Sequence, residues 1–277
     1  MTVDRLRYGL CVANLGSYAD PRTVVKLAES AEASGWSGLF VWDHLGFVWG
    51  PPAGDPWVIL SAAAAATTEL RLGTAVTPVA RRRPQVLAQT VATLDLLSKG
   101  RMIFGAGLGG VPAEFSTFGE DAEPAVRAAR LDEGLELLSQ LWAGRRVTHE
   151  GSHFTVRDVA LAPLPVQERL PIWIGGTSSR ALDRAARWDG WVADSSDERG
   201  MTMTPEEVAA KAKKIAAART SDGHFDIAVI GYSEARDAGI AEPYAAAGAT
   251  WWLESVHDLR GSPEQLLRRI EAGRPGS

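Results

Sequence analysis

An aspartate and a histidine stand side by side at the end of an apolar run, in the stretch GLFVWDHLG that covers residues 38–46. Leu39 to Trp42 suit a buried strand, so Asp43 and His44 lie where the chain leaves the core. A histidine can give or take a proton near neutral pH, and the adjacent carboxylate can orient it. An aspartate at a strand end can also cap a turn, and a lone histidine is often structural. These residues alone leave both interpretations open.

The loop at residues 175–180, with the sequence GGTSSR, is a second candidate site. It follows the apolar run PIWI and precedes a helical pattern. Free backbone N–H groups and the helix dipole both attract an anion at such a position. The glycines, the hydroxyl groups and Arg180 therefore favour a phosphate. An ordinary capped turn is the alternative interpretation.

Two further motifs lie near predicted strand ends. Gly105, Gly107 and Gly110 match the dinucleotide pattern G-x-G-x-x-G, but no helix opens directly after them and no acidic strand end follows about twenty residues later. These glycines more readily let the backbone approach a flat ligand, or pack tightly at a barrel rim. Residues 81–83 are three arginines before Pro84. They are either a solvated surface or a contact for an anionic ligand.

Eight short apolar runs recur along the chain, and most precede a segment with helix signals. The runs are apolar almost throughout, which is typical of parallel strands covered on both faces. Asp20-Pro21, Thr204-Pro205 and Ser262-Pro263 each place a capping residue before a proline at the first helical position. The α/β pattern predicts a (β/α)8 TIM barrel, with a doubly wound sheet as the alternative. Residues 145–170 predict a short hairpin insertion after the fourth helix, within one domain that covers residues 1–277.

In such a barrel the active site lies at the carboxyl ends of the strands, so the candidate residues all face one mouth. The bulk composition limits what binds there. A formal net charge of -5 and a pI near 5.6 argue against nucleic-acid binding. No apolar run is long enough to cross a membrane and no signal peptide is recognisable. The lone Cys11 suits a reducing compartment, so a cytoplasmic protein is predicted. The five histidines lack metal-ligand spacing, and no metal site is predicted.

Four stretches together resemble the luciferase-like monooxygenase superfamily, whose members are (β/α)8 oxidoreductases that use a flavin or a deazaflavin. The stretches are FVWDHL at residues 40–45, LRLGTAVTPVARRRPQVLAQTVATLDLLSKGRMIFGAGLG at 70–109, RLDEGLELLSQLWAG at 130–144 with GSHFTV at 151–156, and PIWIGGTSSRALDRAARWDGW at 171–191. Their order and spacing are more specific than any one of them. The Asp-His pair resembles the branch that uses the 5-deazaflavin coenzyme F420.

This resemblance implies roles for the strand ends. It places Asp43 and His44 beside the deazaflavin ring, and it predicts a non-proline cis peptide bond at Ala75-Val76 against the back face of the ring. With the anion loop, the predicted cofactor-binding residues are Asp43, His44, Thr74, Ala75, Val76, Gly107, Leu108, Gly109, Gly175, Gly176, Thr177 and Arg180. In the sugar-phosphate dehydrogenases of the superfamily a glutamate follows the glycines of the fourth strand. Gly110 takes that position here, which argues against a sugar-phosphate substrate.

The implied reaction is hydride transfer between C5 of F420 and a small organic substrate. His44 is predicted to donate a proton or to stabilise the charge that develops as the hydride moves. Asp43 is predicted to position His44 or to bind the polar edge of the ring, so both are predicted catalytic residues. An FMN-dependent monooxygenase is the alternative, and a non-catalytic flavin-binding barrel is a second one. A polyanionic F420 tail would benefit from Arg81 to Arg83, whereas FMN has no such tail. A homodimer is expected, with a small-molecule substrate and no nucleic-acid or membrane partner.

Overall fold

Eight parallel strands close into a barrel in the computed structural model, which describes residues 6–197, 200–234, 237 and 239–275. The strands are β1 Arg7–Val12, β2 Gly38–Val41, β3 Arg71–Thr74, β4 Met102–Gly107, β5 Ile172–Gly175, β6 Gly190–Ala193, β7 Asp226–Gly231 and β8 Trp251–Val256. Each strand pairs with its successor, and β8 pairs with β1. This closed order confirms the predicted (β/α)8 barrel and excludes the open doubly wound sheet.

Nine helices surround the barrel within the described residues, and the predicted capping signals start several of them. They are α1 Pro21–Ala33, α2 Pro56–Ala66, α3 Pro84–Leu97, α4 Ala113–Ser116, α5 Pro124–Trp142, α6 Ser179–Ala185, α7 Pro205–Ala218, α8 Glu242–Ala246 and α9 Pro263–Glu271. Asp20 caps α1, and complete capping boxes at Thr204 and Ser262 start α7 and α9. Local sequence therefore positions the helices that follow β1, β6 and β8.

Aromatic side chains fill the interior of the barrel below its mouth. The rings of Phe40 and Trp173 stack at 5.1 Å between centroids, and Trp251 meets both rings edge-on. Glycine makes room for this packing: a Cβ on Gly190 would lie 2.3 Å from Cδ1 of Trp173. The interior is therefore a packed core, and a ligand has space only above it, at the carboxyl ends of the strands.

Four leucine and valine side chains of α3 recur at helical spacing, and not all of them are buried. Leu87, Val91 and Leu94 are buried, but Leu97 is 46% exposed. Leu97 is the last residue of that helix, so its side chain lies past the edge of the packed layer. Beyond α5, the strands Val147–Glu150 and Thr155–Val159 pair antiparallel.

Shorter strands accompany the barrel. The pair Thr77–Pro78 extends beside β4, and Ser196–Asp197 pairs with Gly200–Met201 after β6. Short 3-10 turns occur at Gly16–Ala19, Val79–Arg81 and Asp258–Arg260. Within the described part of the chain, no helix is both long enough and apolar enough to cross a membrane.

Candidate active site at the barrel mouth

Asp43 is buried at the end of β2 and is held by two arginines. Its Oδ1 accepts hydrogen bonds from Nη2 of Arg81 and from Nη2 of Arg82, each at 2.6 Å, and its backbone oxygen accepts another from Arg81 at 2.6 Å. The Asp43 side chain is 1% exposed and that of Arg81 7%. Two of the three arginines therefore pair with site carboxylates: Arg81 is buried among them, whereas the Arg82 side chain is 25% exposed and Arg83 is exposed.

His44 reaches the mouth and is oriented by a carboxylate that lies seventy residues further along the chain. Its Nδ1 lies 3.3 Å from both carboxylate oxygens of Glu114 in α4. The His44 side chain is 22% exposed, whereas Glu114 is 1% exposed. Its Nε2 makes no hydrogen bond to any residue that the structure describes. Because Nδ1 faces the carboxylate, Nε2 is the ring atom that can exchange a proton with a ligand.

Glu114 contacts several residues of the site at once. It forms an ion pair with Arg81 and accepts backbone N–H bonds from Leu45 at 2.6 Å and Gly46 at 3.3 Å. Burial by itself would raise the pKa of this carboxyl group. The hydrogen bond and charge of His44, the Leu45 N–H and the Arg81 guanidinium outweigh burial and lower the pKa to about 2. Glu114 is therefore a carboxylate at neutral pH.

Asn14 holds the backbone of His44 in place. The side chain follows β1, is fully buried, and donates from Nδ2 to the backbone oxygens of His44 at 2.8 Å and Gly54 at 2.7 Å. Its Oδ1 accepts from the N–H of His44 at 3.2 Å. The end of β2 is thus fixed by a neighbouring strand, and the imidazole has a defined direction.

The predicted cis peptide bond is present at Ala75-Val76, directly after β3. It brings the Val76 side chain between β4 and β5: a Cβ on Gly107 would lie 2.4 Å from Cγ2 of Val76, and one on Gly175 2.9 Å from its Cγ1. Thr74 is buried and donates from Oγ1 to the Gly105 backbone oxygen at 2.8 Å. Three of the predicted strand ends therefore meet around one valine, in a cradle that glycine alone permits.

The remaining predicted glycines and their neighbours line the rim. Leu108 and Gly109 are half-buried after β4, and Gly109 has a φ of +86°, a backbone conformation that suits glycine. A Cβ there would lie 2.9 Å from the Phe115 ring. This segment follows the cradle directly, on the side toward α4.

The loop GGTSSR leaves β5 with open donors. No described residue accepts a hydrogen bond from the backbone N–H of Thr177, Ser179 or Arg180, and all three residues are exposed. Gly176 has a φ of +117°, and its carbonyl oxygen accepts from Nε1 of Trp191 at 2.8 Å. The loop backbone is anchored while its N–H groups stay available to an anion.

Polar and aromatic side chains also follow β7 and β8, on the other side of the mouth. The Tyr232 hydroxyl lies 2.6 Å from Nε2 of His257, and burial raises the pKa of Tyr232. The His257 ring lies 6.3 Å from that of Trp42, which meets the His44 ring edge-on at 5.8 Å. These contacts connect β2 with β7 and β8 across the mouth.

Cys11 belongs to the core, as the sequence indicates. It is fully buried in β1, and burial raises the pKa of its thiol to about 12, although Nε1 of Trp42 donates to its Sγ at 3.2 Å. The thiol is therefore neutral and has no nucleophilic role. Within the described chain, no group of three or more histidine, cysteine, aspartate or glutamate side chains is arranged to hold a metal ion.

The predicted residues gather at one mouth, but the sequence missed several partners. Asn14, Glu114, Tyr232 and His257 have no local motif, since each acts through a contact with a distant strand end. The only available signal for Asn14, Tyr232 and His257 was their position within two residues of a strand end. Arg180, by contrast, lies exposed on α6 and forms no ion pair with a described residue.

The fold and the site together define a (β/α)8 barrel with a charged, prearranged mouth built from strand ends. The family model described as luciferase-like monooxygenase matches residues 9–271. The chain therefore belongs to the luciferase-like monooxygenase family.

Individual curated relatives are similar over part of the chain. The F420-dependent glucose-6-phosphate dehydrogenase of Microbacterium testaceum (strain StLB037) is 34% identical over 185 residues, which are 64% of this chain and 54% of that protein. The chain thus spans about half the length of the curated relatives it matches.

Solved structures match over nearly the full chain. An F420-dependent secondary alcohol dehydrogenase, in complex with an F420-acetone adduct, has a TM-score of 0.79 at 18% identity and covers 98% of this chain and 99% of its own. The FMN-bound oxygenating constituent of 3,6-diketocamphane monooxygenase, from Pseudomonas putida, has a TM-score of 0.73 at 15% identity, with 96% of each chain covered. At these identities the likeness shows the fold.

Proposed function

We propose that this protein is an oxidoreductase that uses coenzyme F420 and transfers a hydride between C5 of that cofactor and a small organic substrate. One observation carries the proposal: the His44 imidazole stands at the mouth with Nδ1 on the Glu114 carboxylate and Nε2 uncommitted. The sequence relative that is 34% identical is named as F420-dependent. This similarity favours a deazaflavin over FMN as the cofactor.

The residues at the mouth fit a flat, phosphate-bearing cofactor. Gly107 and Gly175 make room for the Val76 side chain, because a Cβ at either position would collide with it, and this valine would then pack against the back of a planar ring. Oδ2 of Asp43 has no partner among the described residues, so one carboxylate oxygen stays available to a ring N–H. The open N–H groups of Thr177 and Arg180, with Gly176 between the strand and the loop, suit the phosphate.

When bound, the deazaflavin supplies hydride exchange at its C5. The protein supplies orientation and a place for the proton. Nε2 of His44 accepts the hydroxyl proton if an alcohol is oxidised, and donates a proton to the oxygen if a carbonyl is reduced. Glu114 keeps the imidazole in one orientation and stabilises its charged form, which makes Glu114 a positioning residue. Asp43 forms ion pairs with Arg81 and Arg82, and these contacts fix the end of β2.

The test is a pair of fluorescence titrations of the purified protein, one with F420 and one with FMN. We expect F420 to bind, and we expect His44→Ala to bind it as tightly while turnover falls about 10²- to 10⁴-fold. His149→Ala is the matched control. His149 also pairs with a glutamate, since its Nε2 lies 3.1 Å from Oε1 of Glu133 in α5, but it stands on the hairpin after that helix. Binding of FMN alone would favour the FMN-dependent monooxygenase. Full turnover in His44→Ala would remove the proposed proton step.

The substrate is proposed to be a small molecule. The homodimer, the cytoplasmic location and the single domain over residues 1–277 stay predictions from the sequence. Gel filtration with light scattering of the purified chain measures the first of these directly.

A further inference from the structure

A groove lies beside the GGTSSR loop, between the start of α6 and the face of α7. It has a volume of about 320 Å³ and is lined by Thr177, Ser179, Leu182, Glu207, Ala210, Lys211 and Lys214. Thr177 is one of the residues proposed to hold the cofactor phosphate. A group attached to the solvent side of that phosphate would therefore enter the groove.

Two lysines from α7 line this groove. Nζ of Lys211 donates to the backbone oxygen of Thr177 at 3.4 Å, and Nζ of Lys214 donates to Oγ of Ser179. They are three residues apart, so they lie on the same face of the helix. Each ammonium group is thus directed at the loop that follows β5.

The two carboxylates near these lysines take part in a helix cap and in an exposed ion pair. Glu207 accepts the Thr204 N–H at 2.8 Å as part of the capping box, and Asp183 lies 3.6 Å from Nζ of Lys214 across a partly exposed contact. An exposed pair at that distance contributes little. The ammonium groups therefore retain most of their capacity to bind another anion.

Two of the three arginines at residues 81–83, which the sequence offered as contacts for an anionic tail, pair with carboxylates inside the mouth. Arg81 and Arg82 pair with Asp43 and Glu114 inside the mouth. A cofactor whose phosphate carries a chain of carboxylates needs cations further along its path, on the solvent side of the phosphate. Among the residues that line the groove, Lys211 and Lys214 are the ones that meet this requirement.

We propose that Lys211 and Lys214 form a subsite for the carboxylates of the cofactor tail, and that this subsite makes the protein prefer a deazaflavin with an anionic tail over a flavin that ends at its phosphate. The inference rests on the proposed use of F420. It adds a second contact region, built on α7, to the phosphate loop.

The experiment measures F420 affinity by fluorescence with the double variant Lys211→Met/Lys214→Met, which keeps the apolar stems and removes the charges. Lys213→Met is the matched control, because Lys213 is exposed on the same helix and does not line the groove. Each protein is titrated with F420 carrying its full tail and with F420 trimmed back to its phosphate, at low and at high salt. Thermal unfolding checks that all variants are folded.

We expect the double variant to bind full-length F420 at least about fivefold more weakly at low salt, with the loss reduced at high salt. Trimmed F420 should bind the wild type and both variants alike. Equal binding of full-length F420 by the wild type and the double variant would overturn the subsite and leave the proposed function standing. No binding of either form of F420 by the wild type would overturn both proposals.

Discussion

The most informative perturbation of this site is Glu114→Gln, which removes a buried negative charge and keeps the shape of the side chain. In the wild type, Glu114 pairs with Arg81, faces Nδ1 of His44 and accepts two backbone N–H bonds. The variant leaves the Arg81 guanidinium with Asp43 alone. It also places an amide N–H₂ group among N–H donors, where at least one donor loses its acceptor.

The lowered pKa of Glu114 gives the size of its contribution to the free energy of unfolding. These interactions lower the pKa from 4.5 to about 2, and each pKa unit corresponds to about 1.4 kcal/mol, so the carboxylate stabilises the fold by about 3 kcal/mol at neutral pH. Because the pKa in the folded protein lies below that of the unfolded chain, this contribution is complete above about pH 4.5. It is lost as the pH falls toward 2. At pH 3 about half of it remains.

Urea unfolding, followed by circular dichroism at pH 7 and at pH 3, measures the effect. We expect the free energy of unfolding of Glu114→Gln to lie about 3 kcal/mol below that of the wild type at pH 7, and the gap to narrow to about half at pH 3. Glu150→Gln, on an exposed hairpin strand, should match the wild type at both values. A gap under about 0.5 kcal/mol at pH 7, or an equal gap at both pH values, would refute the reasoning.

Three further predictions concern a buried side chain, a strand glycine and a helix cap. Asn14→Ala removes the side chain that holds the backbone of His44, and we expect a loss of about 1–3 kcal/mol in urea unfolding; an unchanged midpoint would contradict this. Gly105→Ala places a Cβ 1.8 Å from the backbone oxygen of Thr74 in β3, so we expect a poor yield of folded protein. Gly110→Ala is the control: its Cβ would have no atom within 4 Å, and this variant should express and melt as the wild type does. Ser262→Ala removes the capping box of α9, and we expect the free energy of unfolding, measured by thermal unfolding, to fall by about 1 kcal/mol. An unchanged melting temperature would show that the cap is dispensable.

The barrel was predictable because its signals are local. A strand covered on both faces must be apolar along its length, and a helix start must satisfy its free N–H groups with a nearby side chain. Ser262 and Gln265 lie three residues apart and complete their box without help from the rest of the chain. Leu97 keeps the apolar spacing of α3 and is nevertheless exposed, because a periodic stripe does not indicate which turn passes the edge of the packed layer.

The site was predictable only in part. Asp43-His44 and the GGTSSR loop are each a contiguous stretch of the chain, so their residue types pointed to a mouth with a proton-exchanging group and a phosphate loop. The cis bond at Ala75-Val76 was expected only from the resemblance to the family. Arg81 shows the limit: in sequence it belongs to an open basic run, and in the fold it is a buried partner of Asp43 and Glu114.

The residue types and their local order thus predicted the alternating strands and helices of a barrel, and which strand ends carry polar groups. Closure of the barrel decided which of those groups meet. It set Glu114 against Nδ1 of His44 and placed Lys211 beside Thr177, across separations of 70 and 34 residues. Charges interact through space rather than along the chain, so their partners, and with them the pKa of Glu114 and the path open to a cofactor tail, exist only once the strands have closed.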